Sequence, residues 1–237
     1  MKKTAVIIPC YNEEKRLPIS HIKQLLDNSD VDVYFANDGS KDGTVRIIQS
    51  IINTKPEECF LLDYEKNQGK SNVIFKAVNH INALNKYEFI GYFDADFSTP
   101  VEEVIRLVKE TGTSGNEFVF GSRILLLNSG IKRKTYRHYI GRIILTIINR
   151  KFSLGIYDTQ CGAKLFSKRM INEAFDKPFY TSWLFDVEIF VRLQKKELLY
   201  LGKEVPIYNW TDVEGSKLNW KSGIKILKEI FLLFKKY

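Results

Sequence analysis

Apolar residues in this chain alternate between two habits. Short runs rich in β-branched and aromatic residues read as buried strands: Thr4 to Ile8, Val31 to Ala36, Cys59 to Asp63, Phe89 to Phe93 and Phe118 to Gly121. Between them lie stretches whose apolar positions recur every three or four residues, as on one face of a helix: Ile19 to Asn28, a stretch reaching Asn53 with Asp42 placed to cap it, Ser71 to Leu84, and Pro100 to Thr111 with its proline near the first helical position. Pro9 is expected to close the first strand. Strand and helix in alternation, with polar or glycine-bearing loops after each strand, predict a doubly wound and mostly parallel α/β sheet. Ligands then bind at the carboxyl ends of the strands.

The loops at those ends carry the candidate chemistry. After the fourth strand come Asp94 and Asp96, one residue apart. On extended backbone, positions i and i+2 project the same way, so two carboxylates would repel unless a cation or hydrogen-bond donors sat between them. Hard oxygen ligands suit Mg2+ or Mn2+. The spacing alone leaves two readings open, a metal pair and a solvated turn. Pro9-Cys10-Tyr11-Asn12-Glu13-Glu14 follows the first strand, where Tyr11 can stack on a base and Glu13 can accept from a nucleoside, or the segment can be a plain turn. Asn37-Asp38-Gly39-Ser40 stands after the second strand, where α/β folds place an acid on ribose hydroxyls. The glycine patterns of dinucleotide and P-loop sites are absent.

Composition sharpens the choice of partner. The 237 residues include 36 Lys and Arg against 28 Asp and Glu, a net +8, which points to an anionic partner. The surplus is clustered, since Ile131 to Phe152 carries seven Lys or Arg and no acid, with Tyr136, Tyr139 and a dense apolar run from Ile143 to Ile148. Such a segment reads as a solvated helix face or as an amphipathic element on an anionic bilayer. The last stretch, from Trp220 to Tyr237, offers the same pair of readings, core helix or membrane contact. No apolar run approaches the ~18 residues of a membrane span, and the N-terminus reads as a first strand rather than a signal peptide. Three scattered cysteines without a C-x-x-C suggest a reducing compartment and no zinc site. No nucleic-acid reader module is recognisable.

Taken in order, PCYNEE, NDGS with DGT, NQGKS, FDADFSTP, FGSR, DTQCGAKLF, WLFDVEIFVR and VPIYNWTDVEGSKL resemble the inverting family-2 glycosyltransferases of GT-A fold, in particular the branch of dolichyl-phosphate β-glucosyltransferases and bacterial polyprenyl-phosphate glycosyltransferases. The resemblance runs over nearly the whole chain. It implies one glycosyltransferase domain over residues 1–237, with a nucleotide-sugar half (1–121), an acceptor half (122–237) and C-terminal amphipathic helices.

It further implies inverting, metal-dependent transfer of glucose from UDP-glucose to a polyprenyl phosphate. The enzyme would sit in the cytoplasm, peripheral on the inner face of the plasma membrane, in cell-envelope glycan synthesis. By resemblance Pro9, Tyr11, Asn12, Glu13, Asn37, Asp38, Lys70 and Asp94 hold the nucleotide sugar, Asp94 and Asp96 hold Mg2+ or Mn2+, and Arg123, Arg133 and Arg137 hold the acceptor phosphate. Asn37 departs from the pattern, in which two acids usually open the second motif, and this weakens the base or ribose contact there. Asp158 and Asp186 are candidate catalytic acids, required as a general base only if the acceptor is a hydroxyl; each can equally be a buried anchor. Two alternatives remain, a soluble family-2 enzyme acting on a hydroxyl in polysaccharide synthesis and a catalytically silent nucleotide-sugar binder.

Overall fold

The computed structural model describes residues 4–132, 134–211 and 220–237, with the backbone alone at 137 and 220–222. The first half follows the periodicity closely. Strands β1 (Thr4–Cys10), β2 (Val31–Asp38), β3 (Cys59–Tyr64), β4 (Phe89–Phe93) and β5 (Phe118–Ser122) alternate with helices α1 (Ile19–Asn28), α2 (Thr44–Thr54), α3 (Lys70–Ala83) and α4 (Val101–Glu110). The second half adds a short strand β6 (Gly130–Lys132), the long helix α5 (Thr135–Phe152), strand β7 (Ala163–Ser167), helices α6 (Lys168–Ala174) and α7 (Phe185–Lys195), strands β8 (Gly202–Pro206) and β9 (Asn209–Thr211), and the final helix α8 (Trp220–Lys236).

Seven strands form one sheet in the order β3-β2-β1-β4-β7-β5-β8, and β6 pairs with β9 in a small separate ribbon. The sheet is parallel except for β7, which runs antiparallel to both β4 and β5. From β1 the chain winds outward through β2 to β3, then returns to place β4 on the other side of β1. The carboxyl ends of β1 and β4 therefore flank a switch point, where an open α/β sheet leaves a crevice for ligands.

Period-two alternation divides the core. Ala5 and Ile7 pack with α3, α6, α7 and α8 on one face. Val6 and Ile8 pack with α1, α2 and α4 on the other. One expectation is corrected and one made more definite. The first strand runs through Pro9 to Cys10, because its pairing with β4 ends at Ile7 opposite Tyr92 while pairing with β2 continues to Cys10 opposite Asn37, so the missing proline N–H interrupts no ladder with β4. Pro100 stands at the N-cap of α4 in extended conformation, one position before the helix starts.

The last helix both packs and faces solvent. Ile226, Ile230 and Leu233 are buried, whereas Ile224, Leu227 and Phe231 are exposed. Glu229 fastens it. Its carboxylate accepts the N–H groups of Ser182 (3.2 Å), Trp183 (2.9 Å) and Leu184 (2.9 Å), the donors left unsatisfied just ahead of α7.

Candidate active site

The loops after β1, β2 and β3 are stapled to one another. The Asn12 N–H donates to Ser40 Oγ (2.9 Å), and Lys41 N–H returns a bond to Asn12 Oδ1 (2.8 Å). Glu13 N–H donates to Thr44 Oγ1 (2.7 Å). Asn37 is buried; its Oδ1 accepts the Ser40 hydroxyl (2.5 Å) and its Nδ2 donates to Asp63 Oδ1 (2.6 Å), its register partner on β3. An aspartate at 37 would set two carboxylates at hydrogen-bond distance, and the asparagine turns that repulsion into a bond. Asp38 spends one oxygen on the Gln68 N–H (2.8 Å) and the other on the Gly69 N–H (2.8 Å). That grip fixes the entry to α3 and so the base of Lys70. Tyr11 lies exposed beside this cluster.

The Asp94–Asp96 stretch is a turn, not the extended backbone expected from alternation, because Phe97 N–H closes onto Asp94 O (3.1 Å). The two acids take different partners. Asp94 receives the Lys70 ammonium on Oδ1, and its N–H donates to Gly162 O (3.1 Å). Its carboxyl lies against Gly162, where a Cβ would stand 2.0 Å from Asp94 Oδ2. Asp96 Oδ1 accepts the N–H (2.9 Å) and hydroxyl (2.7 Å) of Ser98. The carbonyl of Ser98 in turn accepts the Thr211 N–H (3.3 Å), which ties β9 to the turn.

Electrostatics join these groups. Burial alone would lower the Lys70 pKa, but Asp94 and Asp186 together hold it above the ordinary lysine range. Burial raises the Glu13 carboxyl, with Arg16 opposing and Asp96 and Asp42 adding to the rise. Glu13 Oε1 accepts from Arg16 (2.8 Å), while its buried Oε2 has no hydrogen-bond partner among the described residues.

The acceptor-side residues are bound in place. Asp158 receives Arg123 bidentately, Nε on Oδ2 (2.6 Å) and Nη2 on Oδ1 (2.8 Å), plus the Arg123 N–H (3.0 Å). Asp158 keeps the Arg123 guanidinium above its already high value against the opposing effect of burial. The guanidinium lies 5.1 Å from the ring centre of Trp210 on β9. Glu204 accepts the N–H groups of Tyr157 (2.9 Å) and Asp158 (2.8 Å), locking the loop. Arg142 of α5 donates to Tyr157 O (2.9 Å) and stacks over its ring.

Asp186, in the first turn of α7, accepts Lys164 Nζ (2.7 Å) and the Tyr92 hydroxyl (2.5 Å) on one oxygen. Lys70 sits 5.9 Å from the ring centre of the adjacent Phe185. The structure thus links Asp38 to the start of α3 beside Lys70, Lys70 to Asp94 in the turn that also holds Asp96, and Lys70 to the Phe185 ring next to Asp186, and it joins Arg123 to Asp158. Arg133 lies outside the described residues, and of Arg137 only the backbone within α5 is described. Residues 212–219, within the last motif, also lie outside them.

Sequence reasoning missed Lys164, Gly162, Ser98 and Trp210 as parts of this site. A lysine inside the apolar run AKLF was the signal available for the first.

A divalent cation fits the donor set. Asp94 and Asp96 offer hard carboxylate oxygens, and among the described residues no group of three or more His, Cys, Asp or Glu converges. Mg2+ and Mn2+ commonly take one or two such carboxylates from a protein. No helix among the described residues is long and apolar enough to cross a membrane.

The chain is similar to known proteins along most of its length. The model of Glycosyl transferase family 2 matches residues 5–175. The chain is 31% identical to a dolichyl-phosphate beta-glucosyltransferase of Dictyostelium discoideum, over 95% of this chain and 72% of that protein. It is 29% identical to the Homo sapiens dolichyl-phosphate beta-glucosyltransferase, over 92% and 70%. Among solved structures it is similar to glucosyl-3-phosphoglycerate synthase from Mycobacterium tuberculosis in complex with Mn2+, UDP and phosphoglyceric acid, with a TM-score of 0.72 over 98% of this chain and 78% of that one; at 14% identity this shows the fold alone. The mostly parallel sheet is that of a GT-A enzyme, and the chain is a glycosyltransferase that belongs to glycosyl transferase family 2.

Proposed function

We propose that the enzyme transfers glucose, with inversion, from UDP-glucose to a polyprenyl phosphate presented on an anionic membrane surface. The observation that carries this reading is similarity along almost the entire chain to relatives named for glucosyl transfer to dolichyl phosphate. The site supports it.

Tyr11 and Glu13 would meet the nucleoside. Asn12, Asn37 and Asp38 hold the surrounding loops, Asp38 also sets Lys70, and Pro9 would border the nucleoside from the end of β1. The ammonium of Lys70 and the Asp94–Asp96 turn would receive the diphosphate. Mg2+ or Mn2+, held by Asp94 and Asp96, would neutralise charge developing on the departing nucleoside diphosphate. A phosphate monoester, with its second pKa near 6, is already largely anionic around neutrality and needs positioning more than deprotonation. The arrangement of Asp158 suits that: its carboxylate is engaged with Arg123, so its role is to orient a guanidinium rather than to take a proton. Arg123, with Arg133 ahead of α5 in the sequence and Arg137 within it, would hold the acceptor phosphate through planar donor forks.

The acceptor side also carries a surface suited to lipid. On α5, Tyr136, Tyr139, Ile140, Ile143 and Ile147 form one exposed stripe at helical spacing. On α8, Ile224, Leu227 and Phe231 form another, flanked by Lys225, Lys228 and Lys235, and Leu127 is 94% exposed in the loop after Arg123. No acid lies on α5, and the acid of α8, Glu229, is turned inward. Exposed apolar stripes bordered by cations fit an anionic leaflet, and the cytoplasmic leaflet is the anionic one. We place the enzyme there, peripheral on the inner face of the plasma membrane.

The test is transfer from radiolabelled UDP-glucose to a polyprenyl phosphate in Mn2+, with D94N and D96N alongside. The expected result is a lipid-linked β-glucoside formed by the unaltered enzyme and lost in both variants and in excess chelator. Labelled sugar appearing only on hydroxyl acceptors, or full activity in D94N, would overturn the proposal.

A further inference from the structure

Lys164 has no solvent exposure. It lies on β7 directly opposite Tyr92 of β4, in the antiparallel strand that separates β4 from β5. Taking an ammonium out of water costs several kcal/mol unless it is paired and fully hydrogen-bonded, and an apolar replacement commonly serves stability as well or better. The ammonium here is well supplied: it donates to Cys161 O (2.5 Å) and to Asp186 Oδ1 (2.7 Å). It lies 5.6 Å from the ring centre of Tyr92 and 5.7 Å from that of Phe190.

Both of its oxygen partners belong to segments that touch Asp94 or Lys70. Cys161 precedes Gly162, whose carbonyl accepts the Asp94 N–H and whose Cα leaves room for the Asp94 carboxyl. Asp186 opens α7 next to Phe185, whose ring centre lies 5.9 Å from the Lys70 ammonium.

We infer that Lys164 is a positioning residue for transfer: from beneath the sheet's carboxyl edge it fixes the loop that backs Asp94 and the carboxylate that supports Lys70, so that the two groups meeting the diphosphate are set by one buried cation. In this arrangement Asp186 is an acceptor shared by an ammonium and a phenol, not a base facing substrate. The inference rests on the reading of Asp94 and Lys70 as the diphosphate cradle.

A double-substitution cycle between positions 164 and 70 tests it. K164M lowers kcat at least tenfold in the unaltered background and by a clearly smaller factor in K70M, where the route through Lys70 is gone and only the one through the Asp94 loop remains. K164M and D186N each lower Tm by stranding one member of a buried pair. K164M/D186N, which strands no charge, regains Tm while kcat stays at least tenfold down, and it carries the comparison with K70M where K164M alone does not fold. Equal loss from the position-164 change in both backgrounds, or recovery of kcat together with Tm in K164M/D186N, overturns the inference, since either marks a scaffold role alone. Calorimetry of UDP with Mn2+ on the unaltered enzyme separates the two claims. Absence of binding there refutes the cradle itself, whereas normal binding with equal losses refutes only the role of Lys164.

Discussion

Replacing Gly162 by alanine isolates the placement of Asp94 with one methyl group. The added Cβ would lie 2.0 Å from Asp94 Oδ2, 2.3 Å from Cγ and 2.7 Å from Oδ1. The first two separations fall more than about 1 Å short of contact distance. One side must move. The glycine's loop is held by the Asp94 N–H on Gly162 O, by Lys164 on Cys161 O and by Glu204 on the Tyr157 and Asp158 N–H groups. The Asp94 side chain, partly exposed and gripped by one lysine, is the softer party, so it swings away and breaks its contact with Lys70. A displacement near 1 Å at a reacting group can cost about a hundredfold in rate, equivalent to about 2.7 kcal/mol of transition-state stabilisation. Stability should barely change, because what is given up is a partly exposed ion pair, a contribution of about 1 kcal/mol or less. The assays are thermal unfolding, calorimetric titration of UDP with Mn2+, and steady-state transfer. G162A is expected to keep its Tm, bind UDP with Mn2+ more weakly and lose about a hundredfold in kcat/KM. Turnover and binding within threefold of the unaltered enzyme would refute the assignment of Asp94.

Three further outcomes follow from the structure. I143E and F231E, on the exposed stripes of α5 and α8, are expected to lower co-sedimentation with phosphatidylglycerol vesicles at least tenfold with Tm unchanged, and added salt should weaken binding of the unaltered enzyme; unchanged sedimentation would remove the membrane face. All three cysteines are buried, and burial, partly offset by Arg123 and Lys164, pushes the Cys161 thiol up to about 11; a thiol reagent at pH 8 should therefore label none in the native protein and three after unfolding. Because burial raises the Glu13 carboxyl, the native state holds that proton more tightly than the unfolded chain. Its contribution to stability is then full below the ordinary glutamate value and is lost as pH rises through the raised one. The Tm of E13Q relative to the unaltered protein should accordingly climb between pH 4 and 7, and a gap independent of pH would count against a raised Glu13.

The first half of the fold was legible because its signals are local. β4 begins and ends where the apolar run Phe89 to Phe93 does, and α1 spans the expected Ile19–Asn28. Motif loops fell at strand ends because parallel winding leaves them nowhere else. The second half depends on pairing at long range. Nothing around Ala163–Ser167 says that it inserts antiparallel between β4 and β5, and without that insertion Lys164 reads as one more surface lysine. Asp186 stood out as an acid among apolar neighbours, but only the sheet shows that a lysine and a tyrosine from β7 and β4 meet it. Arg123 was expected at an acceptor phosphate; that its backbone N–H and two of its guanidinium donors lie on Asp158 depends on a contact 35 residues apart in sequence. Alternation also misjudged the Asp94–Asp96 stretch, where a hydrogen-bonded turn replaces extended backbone and sends the acids to Lys70 and Ser98.

The most direct test of the central claim is a crystal structure of the enzyme soaked with UDP and Mn2+. The diphosphate should lie at the switch point between β1 and β4, bridged by metal to Asp94 with the Lys70 ammonium turned onto a phosphate oxygen and the base beside Tyr11. A nucleotide bound elsewhere, or Asp94 still closed on Lys70 with no phosphate between them, would contradict it.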